Sequence, residues 1–118
     1  MAEPAVEASA IPSAPALPEP QGSEWTWADL QALPEGGPKT EIVEGALTVS
    51  PKPARNHQYA VLELAIKLRD AAPPDLVVLP ESDLELTRNV FEPDIVVLRA
   101  EAFGGSVPLH ATGVLLTV

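Results

Sequence analysis

Glu92-Pro93-Asp94-Ile95-Val96-Val97-Leu98 is the stretch on which the fold turns. Ile95 to Leu98 is an unbroken apolar run, the mark of a short strand covered on both faces. Pro93 fixes φ just upstream and offers no N–H, so it belongs at the entrance of such a strand. Asp94 takes the strand's first position. An acid there presents its carboxylate to a cleft while the buried strand keeps its backbone still. A Pro-Asp pair is also an ordinary junction between loop and strand, so the surrounding sequence has to decide between the two.

Downstream, Gly104-Gly105 makes a loop and Gly113–Val118 begins another buried-looking strand. Upstream, Ser82–Thr87 alternates, with Leu84 and Leu86 on one face and Asp83, Glu85 and Thr87 on the other. Asn89 sits at a turn, and Leu76–Leu79 is an apolar run of strand length. Before it, Val61, Leu62, Leu64, Ala65, Ile66 and Leu68 cover more than half of a helix predicted over 57–72, which Pro73-Pro74 stops and Asn56 is placed to cap. Glu63, Lys67 and Asp70 mark its wet stripe, and Glu63 four residues before Lys67 is the favourable orientation. So apolar a helix is expected to be sandwiched, packed on a sheet. Glu41–Val49 reads as two short strands around a Glu44-Gly45 turn. Thr26 and Asp29 have capping-box spacing, which predicts a short helix over 26–33 with Trp27, Leu30 and Leu33 on one face. The order of elements gives an α/β (α+β) fold with a mixed sheet flanked by helices.

The chain has 118 residues, and 14 of them are Pro. Five prolines fall in the first twenty residues, so 1–23 reads as a disordered Pro/Ala/Glu-rich tail and 24–118 as the folding unit. That length excludes a multi-domain enzyme, a large barrel or a complete doubly wound nucleotide-binding fold. There is no Cys, hence no disulfide, thiol nucleophile or thiolate metal site. The N-terminus lacks the positive charge of a secretory signal and no apolar run reaches membrane-spanning length, so a cytoplasmic protein is expected, with no membrane partner. The net charge is −10, and residues 1–38 hold six acids without a Lys or Arg. No basic stripe of the kind that binds DNA by charge alone is present. Acidity of this degree serves solubility, or places carboxylates to hold a divalent cation.

Trp25-Thr26-Trp27-Ala28-Asp29-Leu30, Glu41-Ile42-Val43-Glu44-Gly45-Ala46-Leu47, Ser50-Pro51, His57-Gln58 and Glu92-Pro93-Asp94-Ile95-Val96-Val97 follow one another in an order and spacing that closely resemble the Uma-two family of restriction endonucleases, within the PD-(D/E)xK nuclease superfamily. The resemblance covers about residues 24–118. It implies a restriction-endonuclease-like core in which strand-borne carboxylates hold Mg²⁺ or Mn²⁺, and the metal activates water for attack on a DNA phosphodiester. Asp94 would be a metal ligand and catalytic. Glu41 would lie near the same cleft as a second ligand, with Glu44 as the competing carboxylate. His57 would approach phosphate or assist proton transfer, with Lys52 and Arg55 beside it. DNA is the implied partner, and a homodimer the implied assembly. His110 matches nothing and reads as surface, while Trp25 and Trp27 read as anchors of the first helix. The family's second motif acid comes after a strand that Gly113–Val118 only begins. The core is therefore expected to be incomplete at its C-terminus and the chain inactive alone. The alternative is a non-catalytic remnant that binds a protein partner through its open sheet edge.

Overall fold

The computed structural model describes residues 18–105 and 107–118. Most of the tail assigned to 1–23 therefore lies outside the described residues. The elements in chain order are α1 (Trp27–Gln31), β1 (Lys39–Val43), β2 (Ala46–Ser50), α2 (Arg55–Ala71), β3 (Leu76–Pro80), β4 (Leu84–Leu86), β5 (Asn89–Phe91), β6 (Ile95–Arg99), α3 (Ala100–Phe103), β7 (Leu109–His110) and β8 (Val114–Thr117). The strands form two sheets, β2-β1-β5-β4-β7 and β3-β6-β8. The first is mixed, because β4 and β7 run parallel. The second is antiparallel throughout. The α+β class and the mixed sheet follow the sequence, while the division into two sheets goes beyond it. Among the described residues no helix is long and apolar enough to cross a membrane.

The apolar run Ile95–Leu98 is the centre of the molecule. β6 lies between β3 and β8, and its Ile95, Val96 and Leu98 have no exposed surface. Ile42, Leu84 and Val90 from the other sheet complete the buried core. β8 departs from expectation. Its composition reads as buried, yet Leu115 and Leu116 stay about half exposed. The strand is an edge with β6 as its neighbour, and apolar composition does not itself supply a second neighbour.

Thr26 caps α1 as the spacing predicts. Its hydroxyl accepts from the Asp29 amide, and the Asp29 carboxylate accepts from the Thr26 amide. The helix is shorter than expected, ending at Gln31. α2 starts two residues before the predicted position, so Asn56 lies inside it, and Ala54 precedes it with no side-chain cap. The helix rests on β3, but none of its residues is buried, and Tyr59 and Leu62 face outward. The expected sandwich is thus covered on one side only among the described residues.

Two hairpin tips meet at one end of the five-stranded sheet. Glu44 and Gly45 both have positive φ, 49° and 82°, as a two-residue hairpin loop with the strands' own twist requires. The Gly45 amide donates to the Arg88 carbonyl, and the Gly45 carbonyl accepts from the Trp25 amide. The Arg88 guanidinium binds the Glu24 carboxylate at 2.6 Å and reaches the Glu44 carbonyl at 3.0 Å. A Cβ on Gly45 would stand 2.6 Å from the Glu24 carboxylate. Gly45→Ala is therefore expected to cost about 1–2 kcal/mol for the left-handed backbone, and more because it expels Glu24 from Arg88. Urea denaturation checks this: in a Glu24→Ala background the added cost should shrink to the backbone part.

The opposite end of that sheet positions the candidate site. There the chain crosses between sheets twice, at Glu81-Ser82-Asp83 from β3 to β4 and at Glu92-Pro93-Asp94 from β5 to β6. The crossings lie side by side, with the Glu81 amide donating to the Asp94 carbonyl at 3.1 Å.

Candidate active site

Asp94 is fixed by its backbone before its side chain does anything. Its amide donates to the Val118 carbonyl at 2.7 Å, and the Ile95 amide reaches the same oxygen at 3.3 Å. Its carbonyl accepts from Glu81, a residue held at φ 42°, in the left-handed region that L-residues seldom occupy. Next comes β6, whose first four residues, Ile95 to Leu98, are buried. The carboxylate therefore projects from a rigid strand mouth, as the Pro-Asp junction suggested.

His57, on the first turn of α2, comes to this carboxylate. Its Nε2 lies 3.2 Å from Asp94 Oδ2, and the side chains retain 45% and 30% of their exposure. A pair this wet contributes at most about 1 kcal/mol to stability, so its meaning lies in geometry. Asp94 and His57, separated by a helix and three strands in sequence, share one location. A cleft of about 350 Å³ opens beside Asp94, and Lys39, Lys52, Gln58, Glu81 and Glu92 also line it. Two lysines thus face a carboxylate-rich wall.

Glu41 is placed otherwise. Its Oε2 accepts from the Glu92 amide at 2.7 Å, and it is not among the cleft's lining residues. Glu44 sits at the far hairpin tip, with its amide on the Asn89 side chain. Lys39, Glu81 and Glu92 were not singled out by sequence reasoning. The one sequence signal that pointed to any of them was Glu92's place next to Pro93-Asp94. His110 is exposed as expected, with Nδ1 3.9 Å from Glu85.

The seam is electrostatically unfavourable for its acids. Burial raises the pKa of Asp83, and the charge of Glu41 raises it further. Burial also raises Glu92, with Asp83, Glu81 and Glu41 adding to the effect and Lys39 opposing it. Ionised carboxylates held this close disfavour one another, which is the condition that attracts cations and, locally, lysines.

Restriction-endonuclease-like families generally imply a divalent metal. Among the described residues, no three His, Asp or Glu side chains converge as a metal site. Asp94 meets His57 and Glu41 spends an oxygen on an amide, so the donors present do not by themselves fit a divalent cation. A larger groove of about 1050 Å³ lies elsewhere, between Trp25, Leu30 and Leu33 on one side and Leu47 and Val49 on the other. Glu35 is the sole charged side chain lining it, so it holds no comparable chemistry.

The comparisons with known proteins agree with this architecture. A structural search matches a crystal structure described as a putative nuclease belonging to DUF820 from Anabaena variabilis, with TM-score 0.57 and 20% identity. The match covers 70% of this chain and 48% of that one, so the chain spans about half the length of the solved nuclease. At that identity the likeness is one of fold. No curated protein matches. The family profile named Uma2, described as "Putative restriction endonuclease", matches residues 27–113. That span takes in α1, the β1–β2 hairpin, α2 and the whole Asp94 crossing, and the chain belongs to the Uma2 family.

Proposed function

We propose that the chain carries the DNA-facing part of an endonuclease site for phosphodiester hydrolysis, organised around Asp94. The observation that carries this reading is the cleft at the seam. There a carboxylate on a rigid strand mouth stands 3.2 Å from an imidazole, with Lys39 and Lys52 lining the same space. The lysines would hold the phosphate backbone by charge. His57 would orient Asp94 or move a proton near it. The family implies a divalent cation, for which the donors that converge among the described residues do not complete a site. The family match supports the reaction class.

On this reading the 118-residue chain does not cleave by itself. Incubated with supercoiled plasmid and Mn²⁺, it should nick DNA no faster than Asp94→Ala. Nicking that needs Mn²⁺ and disappears in Asp94→Ala would show that a complete site assembles from these residues, and would overturn the incomplete donor set. A second reading, a non-catalytic module that pairs with a partner through a sheet edge, has the exposed Leu115 and Leu116 of β8 in its favour. It predicts no DNA binding at the Lys39–Lys52 cleft.

A further inference from the structure

Glu92-Pro93-Asp94 is a crossing with few ways to be held. Pro93 has no amide hydrogen. The β1–β5 pairing is confined to Ile42 opposite Val90, so the Glu92 amide has already left the ladder. Two donors remain, the amides of Glu92 and Asp94, and each has a partner. Asp94 donates to Val118 at 2.7 Å, and Glu92 donates to the Glu41 carboxylate at 2.7 Å, 51 residues away in sequence. With the Asp94 carbonyl accepting from Glu81, three separate parts of the fold pin the two ends of this three-residue crossing. Glu92 and Asp94 are both half-buried, where an unpartnered amide would be costly.

We infer that Glu41 is a positioning residue: it braces the Glu92-Pro93-Asp94 crossing through the Glu92 amide and so aims the Asp94 carboxylate at the cleft. This replaces the role of cation ligand that the family resemblance implied for Glu41, and its functional meaning rests on Asp94 being the site's acid. The place of Glu41 in the fold supports it. Glu41 is half-buried on β1, paired with Thr48 across the hairpin, and its charge is felt by Asp83 and Glu92 inside the seam. The cation-ligand role needs its negative charge. The brace needs an acceptor oxygen at the end of a side chain of this length.

Those requirements separate two conservative variants. Glu41→Gln keeps length and acceptor but loses charge. Glu41→Asp keeps charge but is shorter by one methylene. The measurement is amide hydrogen exchange by NMR on the labelled 118-residue chain, without DNA or metal, for both variants and Glu41→Ala. Exchange at Glu92 should stay within about threefold of the parent in Glu41→Gln, and accelerate about tenfold or more in Glu41→Asp and Glu41→Ala, as expected when the amide loses its acceptor. Val96 and Val97 amides should be unaffected. The His57 ring resonances at fixed pH should follow the same order, because that imidazole reports where Asp94 points. Should Glu41→Ala fail to fold, the Gln and Asp variants still decide. The reverse order, with Asp like the parent and Gln disturbed, overturns the inference. So does unchanged Glu92 exchange in all variants, or an acceleration spread evenly over the chain. As the readout uses neither nucleic acid nor metal, a failed plasmid assay leaves the brace standing, and loss of the brace leaves the nuclease reading standing.

Discussion

Leu98→Ala is expected to lower the folding free energy by about 2–5 kcal/mol, the range for deleting a fully buried leucine side chain when the surroundings relax only in part. Leu98 has no exposed surface and sits on the central strand of its sheet, opposite Val77 of β3 and Val114 of β8. A small domain holds about 5–15 kcal/mol in all, so this one change removes a large fraction. Because β6 also carries Asp94 at its mouth, loosening the strand should disorder the candidate site. Leu115→Ala is the matched control. That side chain is 50% exposed on the edge strand, and its truncation should cost under about 1 kcal/mol. Urea denaturation of the two variants distinguishes them. Equal losses would mean that β6 is not the centre of the core.

The contrast between Leu98 and Leu115 shows what the sequence could and could not convey. Ile95–Leu98 and Val114–Leu116 are both apolar runs of strand length, and both read as buried. Which of them gains neighbours on two sides depends on tertiary pairing, which periodicity does not encode. Local signals fared better. The Thr26–Asp29 spacing specified a capping box that forms, and Glu44-Gly45 specified a turn that both residues make with positive φ. The start of α2 was misplaced because Asn56 is a good cap by type, while the helix begins at Arg55 with no side-chain cap at all.

The site divides along the same line. The place of Asp94 at a strand mouth was legible because Pro93 and a buried strand frame it, and that of His57 at the start of the long helix because a family pattern placed it. Lys39, Glu81 and Glu92 were not legible as one lining, since they meet only where two sheet crossings run side by side. Glu41 was legible as an acid of the first hairpin. Its partner, an amide 51 residues later, was not.

The second large effect is on DNA. The chain carries a net charge of −10, which repels a duplex overall. Any binding must then be local, at the cleft where Lys39 and Lys52 stand. Each phosphate neutralised contributes about −0.9 to the slope of log affinity against log salt. Lys39→Ala/Lys52→Ala should therefore weaken binding about tenfold or more at low salt and flatten the slope by roughly 2. Lys67→Ala/Arg69→Ala, on the later part of α2, removes the same formal charge. Arg69 lies beside Asp70 there, 3.8 Å away, and neither Lys67 nor Arg69 lines the cleft, so at physiological salt, where charges are screened over about 8 Å, this pair of substitutions should change affinity by less than about threefold.

Fluorescence anisotropy of a labelled duplex across a salt series, with the parent chain and these two double variants, decides whether the Asp94 cleft faces DNA. The expected result is salt-dependent binding that the Lys39/Lys52 substitutions weaken and flatten and the Lys67/Arg69 substitutions leave nearly intact. No binding by the parent chain at low salt, or equal losses in both double variants, would contradict a DNA-facing cleft at Asp94.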